Sequence, residues 1–470
     1  MKKMLHQVLQ PHGMFVIIAL VFGLVFVRIV PPFWGIDELT HFNRVYQLST
    51  GQLEEHKVDG GYSSKLPANL LALEGYVYLD LTDGKPGPNR GEVDSVAVYN
   101  TYTDQHFSKA KQNYFVSGVY SPLAYTGPVI GTTLSRILDF DIGQTILMAR
   151  LFTLLLYIGI VYIALRILRG TKTVWLVFVV ALLPMTLFQA SIVNVDSMAI
   201  SLGLLLFSMV IYFWQRDKKL TRLEFILLLL VATVLSLTKP NYLLLSFAAA
   251  FLPARNFGAN MALRARTILV AIPLIACGVW EILTRHLSES GLAQELGAAA
   301  KHVKPFAQTK FILIHPLQMI YYTAESAYKN DWFSQTFGLL GWNYVLIPTA
   351  IIGLLFVTLC MVSLYDKDPK EKHAGMNRLQ PKVLLGLGAL VSLSILYVFY
   401  ATYSVVGSHT INGVQGRYFI PALPFIFYGL AKLVPMRVLM TEKTVRVLVP
   451  CISIFALIVS AAVYFRVTYG

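Results

Sequence analysis

Apolar positions fall in long unbroken runs rather than in alternating or soluble-helix stripes. Several runs reach or approach the ~20 residues that a helix needs to cross ~30 Å of hydrocarbon. Eleven predict membrane spans: Met14 to Val30, Ile146 to Ile167, Val174 to Ile192, Ser197 to Trp214, Leu223 to Leu237 and Tyr242 to Leu252, then Thr267 to Leu283, Tyr344 to Leu364, Val383 to Ser404, Tyr418 to Val434 and Val447 to Phe465. Tyr120 to Leu138 is apolar but short and broken by Pro122 and Pro128, which predicts an interfacial or re-entrant helix over 120–138. Two polar stretches stand apart from these runs, Pro31 to Val119 and His286 to Trp342.

The expected organisation is a cytoplasmic N-terminus (1–13), a first span (14–30) and an outer loop (31–145) carrying an amphipathic helix at 37–50 and the interfacial helix. A block of spans (146–285), a second outer loop (286–342) and C-terminal spans (343–470) follow. Within the first loop, Tyr76 to Leu79 and Val96 to Tyr99 read as strands, and Lys85 to Arg90 as a turn. These pieces predict a small folded cap. No internal repeat is present.

Composition agrees with lipid as solvent. The chain has 470 residues, of which 56% are hydrophobic and only 14% charged, against about 25% charged in a soluble domain. The net charge of +14 suggests nucleic acid until its distribution is seen. Basic residues collect in alternate connections: Lys2 and Lys3; Arg166, Arg169 and Lys172; Arg216, Lys218, Lys219 and Arg222; Arg255, Arg264 and Arg266; Lys367 to Lys382; and Lys432 to Arg446. The short connections on the other side carry only Lys239 and Arg417. By the positive-inside rule the N-terminus lies inside, the C-terminus outside, and both long loops face outward. Lys2 and Lys3 precede the first run as in a signal peptide, but Pro31, Pro32, Phe33 and Trp34 follow it instead of a small-residue cleavage site, so a retained anchor is expected. Cys277, Cys360 and Cys451 lie inside apolar runs and read as core residues.

Candidate chemistry gathers where spans meet the outer side. From Gly35 to Gln47, helical spacing puts Asp37, His41 and Arg44 on one face, and Leu39, Phe42, Val45 and Tyr46 on an apolar stripe suited to the membrane surface. Asp37 and Glu38 form a carboxylate pair, Asp37 four residues and Glu38 three from His41; a plain helix-start role competes with catalysis for both. Asp196 stands at the outer turn before the fourth span, where an N-cap role weighs evenly against a functional one. Lys239 and Arg417 run against the charge trend; each alone reads as a snorkelling anchor, while together they suit a phosphate. Glu325, Lys329, Asp331 and Trp332 suit the lining of a cleft but better the solvated face of an amphipathic helix, and neither zinc spacing nor a glycine-rich phosphate loop occurs.

A group transfer on the outer side has no nucleotide donor, so its donor must be carried in the lipid. A sugar linked to polyprenyl phosphate fits: a carboxylate takes the acceptor proton and the cations stabilise the departing phosphate. The chain resembles the GT-C superfamily of membrane glycosyltransferases, which carry an acidic motif in the first outer loop. More closely it resembles a bacterial multi-spanning family described as a domain of unknown function. The matching pieces are Asp37-Glu38 with His41, Phe42 and Arg44; Tyr120 to Tyr125; Leu183 to Gln189 leading to Asp196; Thr238-Lys239-Pro240; Phe337 to Trp342; and Gln415 to Pro421. Ile36 departs from the proline expected there.

The resemblance implies an all-α polytopic GT-C-like bundle of about eleven transmembrane helices with outer juxtamembrane helices, in the bacterial plasma membrane with its active site outward. It implies an inverting glycosyltransferase with Asp37 or Glu38 as base, acting on a cell-envelope glycan or lipid. His41, Arg44, Asp196, Lys239, Gln415, Arg417 and Tyr418 are the implied substrate-binding residues. Asp37 and Asp196 are candidate ligands for a divalent metal, Mg or Mn. The competing readings are a flippase or transporter of lipid-linked glycans, for which repeats and midplane charges are expected, and a non-catalytic envelope-assembly partner.

Overall fold

The computed structural model describes residues 9–58, 61–82, 100–113, 118–365 and 379–470. The expected turn at 85–90, the strand at 96–99, and the basic residues Lys2, Lys3, Lys367, Lys370, Lys372 and Arg378 lie outside them. The chain is an all-α polytopic membrane protein. Among the described residues six helices are long and apolar enough to cross a membrane. They are α1 (Pro11–Ile29), α5 (Ile142–Ile167), α8 (Asp196–Gln215), α10 (Ala262–Leu296), α15 (Leu379–Tyr403) and α17 (Glu442–Tyr469). Between them stand α2 (Glu38–Ser49), α3 (Ala68–Thr82) and α4 (Thr126–Ile137), then α6 (Val174–Ala181), α7 (Pro184–Ala190) and α9 (Arg222–Thr238). Last come α11 (Pro305–Ile314), α12 (Pro316–Lys329), α13 (Trp332–Phe337), α14 (Thr349–Tyr365) and α16 (Leu423–Leu433).

The bundle is organised around α8. Of its apolar window 94% is buried, whereas no other long helix exceeds 44%. Its neighbours α5, α7 and α9 and the 3-10 segment Gly416–Ala422 enclose it. The other long helices keep an apolar face outward, such as Ile17, Val21 and Leu24 on α1, as lipid as solvent requires.

Several apolar runs are not simple spans. The run expected as one helix from Val174 to Ile192 breaks between α6 and α7, because Pro184 opens α7 and cannot extend α6. Every residue of both pieces is buried. After Lys239-Pro240 the expected short span at 242–252 is a mixed segment, with 3-10 turns at Pro240–Tyr242 and Phe247–Phe251. The run from Tyr344 begins as a hairpin of β4 (Leu339–Leu340) and β5 (Val345–Leu346), and its helix starts at Thr349.

The stretch expected to be an interfacial or re-entrant helix folds as α4, opened by the Ser121-capped 3-10 turn Pro122–Tyr125. Its 12 residues span about 18 Å, well short of the bilayer core. It packs tightly along α5: a Cβ on Gly131 would stand 2.4 Å from the Met148 carbonyl oxygen.

The described part of the first loop is folded. β1 (His56–Val58), β2 (Gly61–Pro67) and β3 (Ala110–Asn113) make an antiparallel sheet in that order, with His56 opposite Ser63 and Ser64 opposite Asn113. The strand expected at 76–79 is instead part of α3, whose Leu70, Leu73 and Val77 are buried at helical spacing. The stripe expected to lie on the membrane is also corrected. Phe42 and Val45 are fully buried and Tyr46 nearly so, because α2 packs against β2 and α4 rather than on lipid.

Candidate functional site

Asp37 and Glu38 are adjacent but point to different places. Asp37 adopts the left-handed conformation (φ 58°), which Asp tolerates better than most residues, and precedes the first residue of α2. It therefore leaves the face that Asp37, His41 and Arg44 were expected to share. Glu38 turns inward and is fully buried. Its Oε1 accepts from Arg150 Nε at 2.6 Å and the Val193 amide at 3.0 Å; its Oε2 accepts from Arg150 Nη2 at 2.5 Å and the Gly35 amide at 3.2 Å. A carboxylate so saturated has no lone pair facing an open cleft.

Asp37 contacts Arg417 and through it joins two further groups from distant parts of the chain. Arg417 donates through Nη2 to Asp37 Oδ2 and through Nε to Asp196 Oδ2, the latter at 2.7 Å. Lys239 donates to the other Asp196 oxygen. Two carboxylates and two cations thus form one connected cluster. Its members differ in exposure: the side chain of Arg417 is 2% exposed, that of Asp196 4%, Lys239 15% and Asp37 36%. Asp37 is thus the exposed edge of the cluster, and the other three lie deeper.

Each member is placed by local structure. Asp196 is the first residue of α8 and makes no side-chain cap; its carboxylate is spent on the two cations. Lys239 follows α9 at the Pro240 break. Its ammonium stands 4.1 Å from the centroid of the Tyr418 ring, a cation–π geometry. Burial lowers the Lys239 pKa from the ordinary lysine range, against the pull of Asp196. Burial also opposes charge on Arg417, but Tyr418, Asp37 and Asp196 outweigh it and raise its pKa, so it stays charged. Gln415 accepts from Arg417 Nη1. The Tyr418 ring stacks on Phe399 at 5.5 Å and 11° between planes, and its backbone carbonyl accepts from Tyr242 at 3.0 Å.

His41 and Arg44 serve different neighbours. His41 Nδ1 bonds the Tyr125 hydroxyl at 2.8 Å, and Tyr120 packs on its ring with centroids 5.5 Å apart. Burial lowers its pKa to about 4, although Asp37 and Asp196 raise it, so the imidazole is neutral near pH 7. Arg44 donates to Gln47 Oε1 at 2.8 Å and to the Leu53 carbonyl at 3.0 Å. It braces the cap and does not join the cluster.

In the second loop Glu325 pairs with Lys329 at 2.6 Å, and Asp331 caps α13 through the Ser334 amide at 3.1 Å. Trp332 is buried. Arg150, Tyr125 and Gln335 carry no expected role from sequence yet stand beside these groups. Gln335 accepts from the Gly416 amide at 2.7 Å and so holds the backbone beside Arg417. A buried arginine inside an apolar run demands a partner, which was the available sign for Arg150; nothing in the sequence marks Gln335.

The candidate metal ligands Asp37 and Asp196 are both taken up by Arg417. Among the described residues no group of three or more His, Cys, Asp or Glu converges, so the donor set does not fit a resident divalent ion.

No curated protein and no solved structure matches the chain. The model of the predicted membrane protein family DUF2142 matches residues 20–426, nearly the whole length, and the chain belongs to that family.

Proposed function

We propose that the protein is a GT-C-type glycosyltransferase that moves a sugar from a polyprenyl phosphate to a cell-envelope glycan or lipid. In this reading about eleven apolar segments cross or enter the bacterial plasma membrane, the N-terminus is cytoplasmic, and the Asp37 cluster faces outward. The observation that carries it is Arg417 held between Asp37 and Asp196, with Lys239 on the same Asp196 carboxylate.

The four charges balance in the resting cluster. A lipid phosphate entering over Lys239 and Arg417 competes with Asp37 for the guanidinium. Asp37, the most exposed member, is thereby released. It removes the proton from the acceptor hydroxyl as that oxygen bonds the anomeric carbon from the face opposite the phosphate. The bond from the anomeric carbon to the phosphate oxygen breaks, its electron pair leaves with the polyprenyl phosphate, and the configuration inverts. Lys239 and Arg417 stabilise the departing phosphate. Glu38, locked on Arg150, takes no part as base.

The test uses the full chain in phosphatidylcholine–phosphatidylglycerol vesicles with radiolabelled undecaprenyl phosphate sugars and envelope extract as acceptor. Label moves to the acceptor with the native chain. Asp37→Asn lowers transfer by about 100-fold or more, the size of a general-base contribution, while still binding undecaprenyl phosphate. Lys239→Ala weakens that binding. Native transfer rates in Asp37→Asn would sink the proposal.

A further inference from the structure

The face of α12 turned away from the protein is apolar. Leu317, Ile320, Tyr321 and Tyr328 are 79%, 67%, 63% and 88% exposed. At 100° per residue they fall within an arc of roughly 100°. The opposite face is already satisfied: Tyr322 stacks on His409 at 4.7 Å, and Ser326 accepts from the Ile411 amide at 2.9 Å. Leu313 and Ile314, at the end of α11, are 77% and 58% exposed and continue the patch. Water is a poor solvent for a patch of this kind.

Two observations identify what covers it. The first is continuity with a lipid-facing surface. Leu390, Leu393 and Tyr397 form an exposed stripe on the apolar helix α15, and Thr309 of α11 hydrogen-bonds the Tyr397 hydroxyl at 2.9 Å. Gln308 of α11 accepts from the Gly407 amide, just beyond the end of α15, at 2.9 Å. The α11–α12 pair is therefore fastened at the end of a span. The second is charge: Lys301, Lys304 and Lys310 are exposed on or beside the pair, the polar flank that interfacial helices present to anionic headgroups.

We propose that α11 and α12 lie in the lipid–water interface of the bilayer, with the Leu317–Tyr328 face among acyl chains and the lysines at anionic phospholipid phosphates. The surface is independent of the transferase reading and holds for any activity of the cluster.

Site-specific labelling tests it. With Cys277, Cys360 and Cys451 replaced by serine, Leu317→Cys, Ile320→Cys and Tyr328→Cys are each labelled with an NBD fluorophore. The full chain is placed in vesicles of phosphatidylcholine and phosphatidylglycerol. Brominated acyl chains quench these positions several-fold more than aqueous iodide does, while Lys301→Cys shows the reverse order. Three single positions keep the test intact if one variant fails to fold. Iodide quenching that dominates at the α12 positions overturns the proposal. Protection from both quenchers also overturns it, and assigns the face to a protein partner.

Discussion

Glu38 and Arg150 close a two-bonded fork that has no contact with solvent, 112 residues apart in the chain. Arg150 also donates to the carbonyls of Val27, Val30 and Pro31, at 3.3, 2.5 and 2.8 Å. One guanidinium thus ties the end of α1 and the start of α2 to α5. Removing one partner of a buried pair leaves a bare charge and costs about 3–5 kcal/mol. Arg150→Met is expected to lose that much and, because three carbonyls lose their donor and Glu38→Leu also strips the Gly35 and Val193 amides of their acceptor, pairing the two does not restore stability. Asp37→Asn, at the exposed edge, stays close to the native melting temperature. Thermal unfolding in detergent ranks the three; equal losses in Arg150→Met and Asp37→Asn would refute the clamp.

His41 makes the protein less stable in acid. Its folded pKa, about 4, lies below the ordinary 6.5 because burial disfavours the charged ring. The unfolded chain binds a proton first, so stability contributed above pH 6.5 is lost as pH falls towards 4. The span corresponds to a few kcal/mol, on the order of 3. Between pH 7.5 and 4.5 the melting temperature of the native chain should drop relative to that of His41→Gln, which keeps a polar partner for Tyr125 and shares every other titrating group.

Glu74 acts at the other end of the scale. It is buried in the cap and accepts from Asn43 Nδ2 at 3.2 Å. Burial raises its pKa to about 8, with the Asn43 bond opposing. Among the described residues neither Glu74 Oε1 nor Asn43 Oδ1, both buried, has a hydrogen-bond partner, and a proton on Glu74 supplies the donor this pair needs. The folded state holds that proton while the unfolded carboxyl loses it above 4.5, so stability declines as pH rises through 8. Glu74→Gln places a permanent donor there. Its melting temperature should exceed the native value at pH 8.5 and converge with it near pH 5.

Hydropathy exposed the membrane class because long apolar helices need no partner information to be seen. Asp37, Asp196, Lys239 and Arg417 stood out for a related reason: charge at the end of an apolar run has few bland explanations. What the sequence hid was direction. Asp37 and Glu38 separate only because Asp37 takes a left-handed backbone, and no residue pattern announces that. The stretch at 76–79 reads as a strand from its own aromatic and β-branched residues, whereas Leu73 and Leu70, one and two turns before Val77, set the helical period. Short breaks such as that between α6 and α7 depend on a single proline, Pro184, inside an otherwise uniform run.

Gly416 offers a way to move the cluster without changing any of its charges. A Cβ there would lie 2.2 Å from the Trp332 carbonyl oxygen and 2.6 Å from the Thr336 amide nitrogen. Both are backbone atoms of α13, so no side-chain rotation relieves the clash. Side chains of the same helix also hold the contact: Thr336 Oγ1 donates to the Gly416 carbonyl at 3.0 Å, and the Gly416 amide donates to Gln335. Gly416→Ala must therefore push the 3-10 turn away from α13, at an overpacking cost of about 1–3 kcal/mol. Arg417 is the next residue, and its reach to Asp37 and Asp196 fixes where the two carboxylates sit. The expected outcome is a protein that inserts and melts only modestly below native, yet binds undecaprenyl phosphate at least several-fold more weakly by titration in nanodiscs. Gln335→Ala, which frees the same amide without the clash, should show a smaller loss in the same direction. Native affinity in Gly416→Ala would mean that the turn does not position Arg417 for a phosphate.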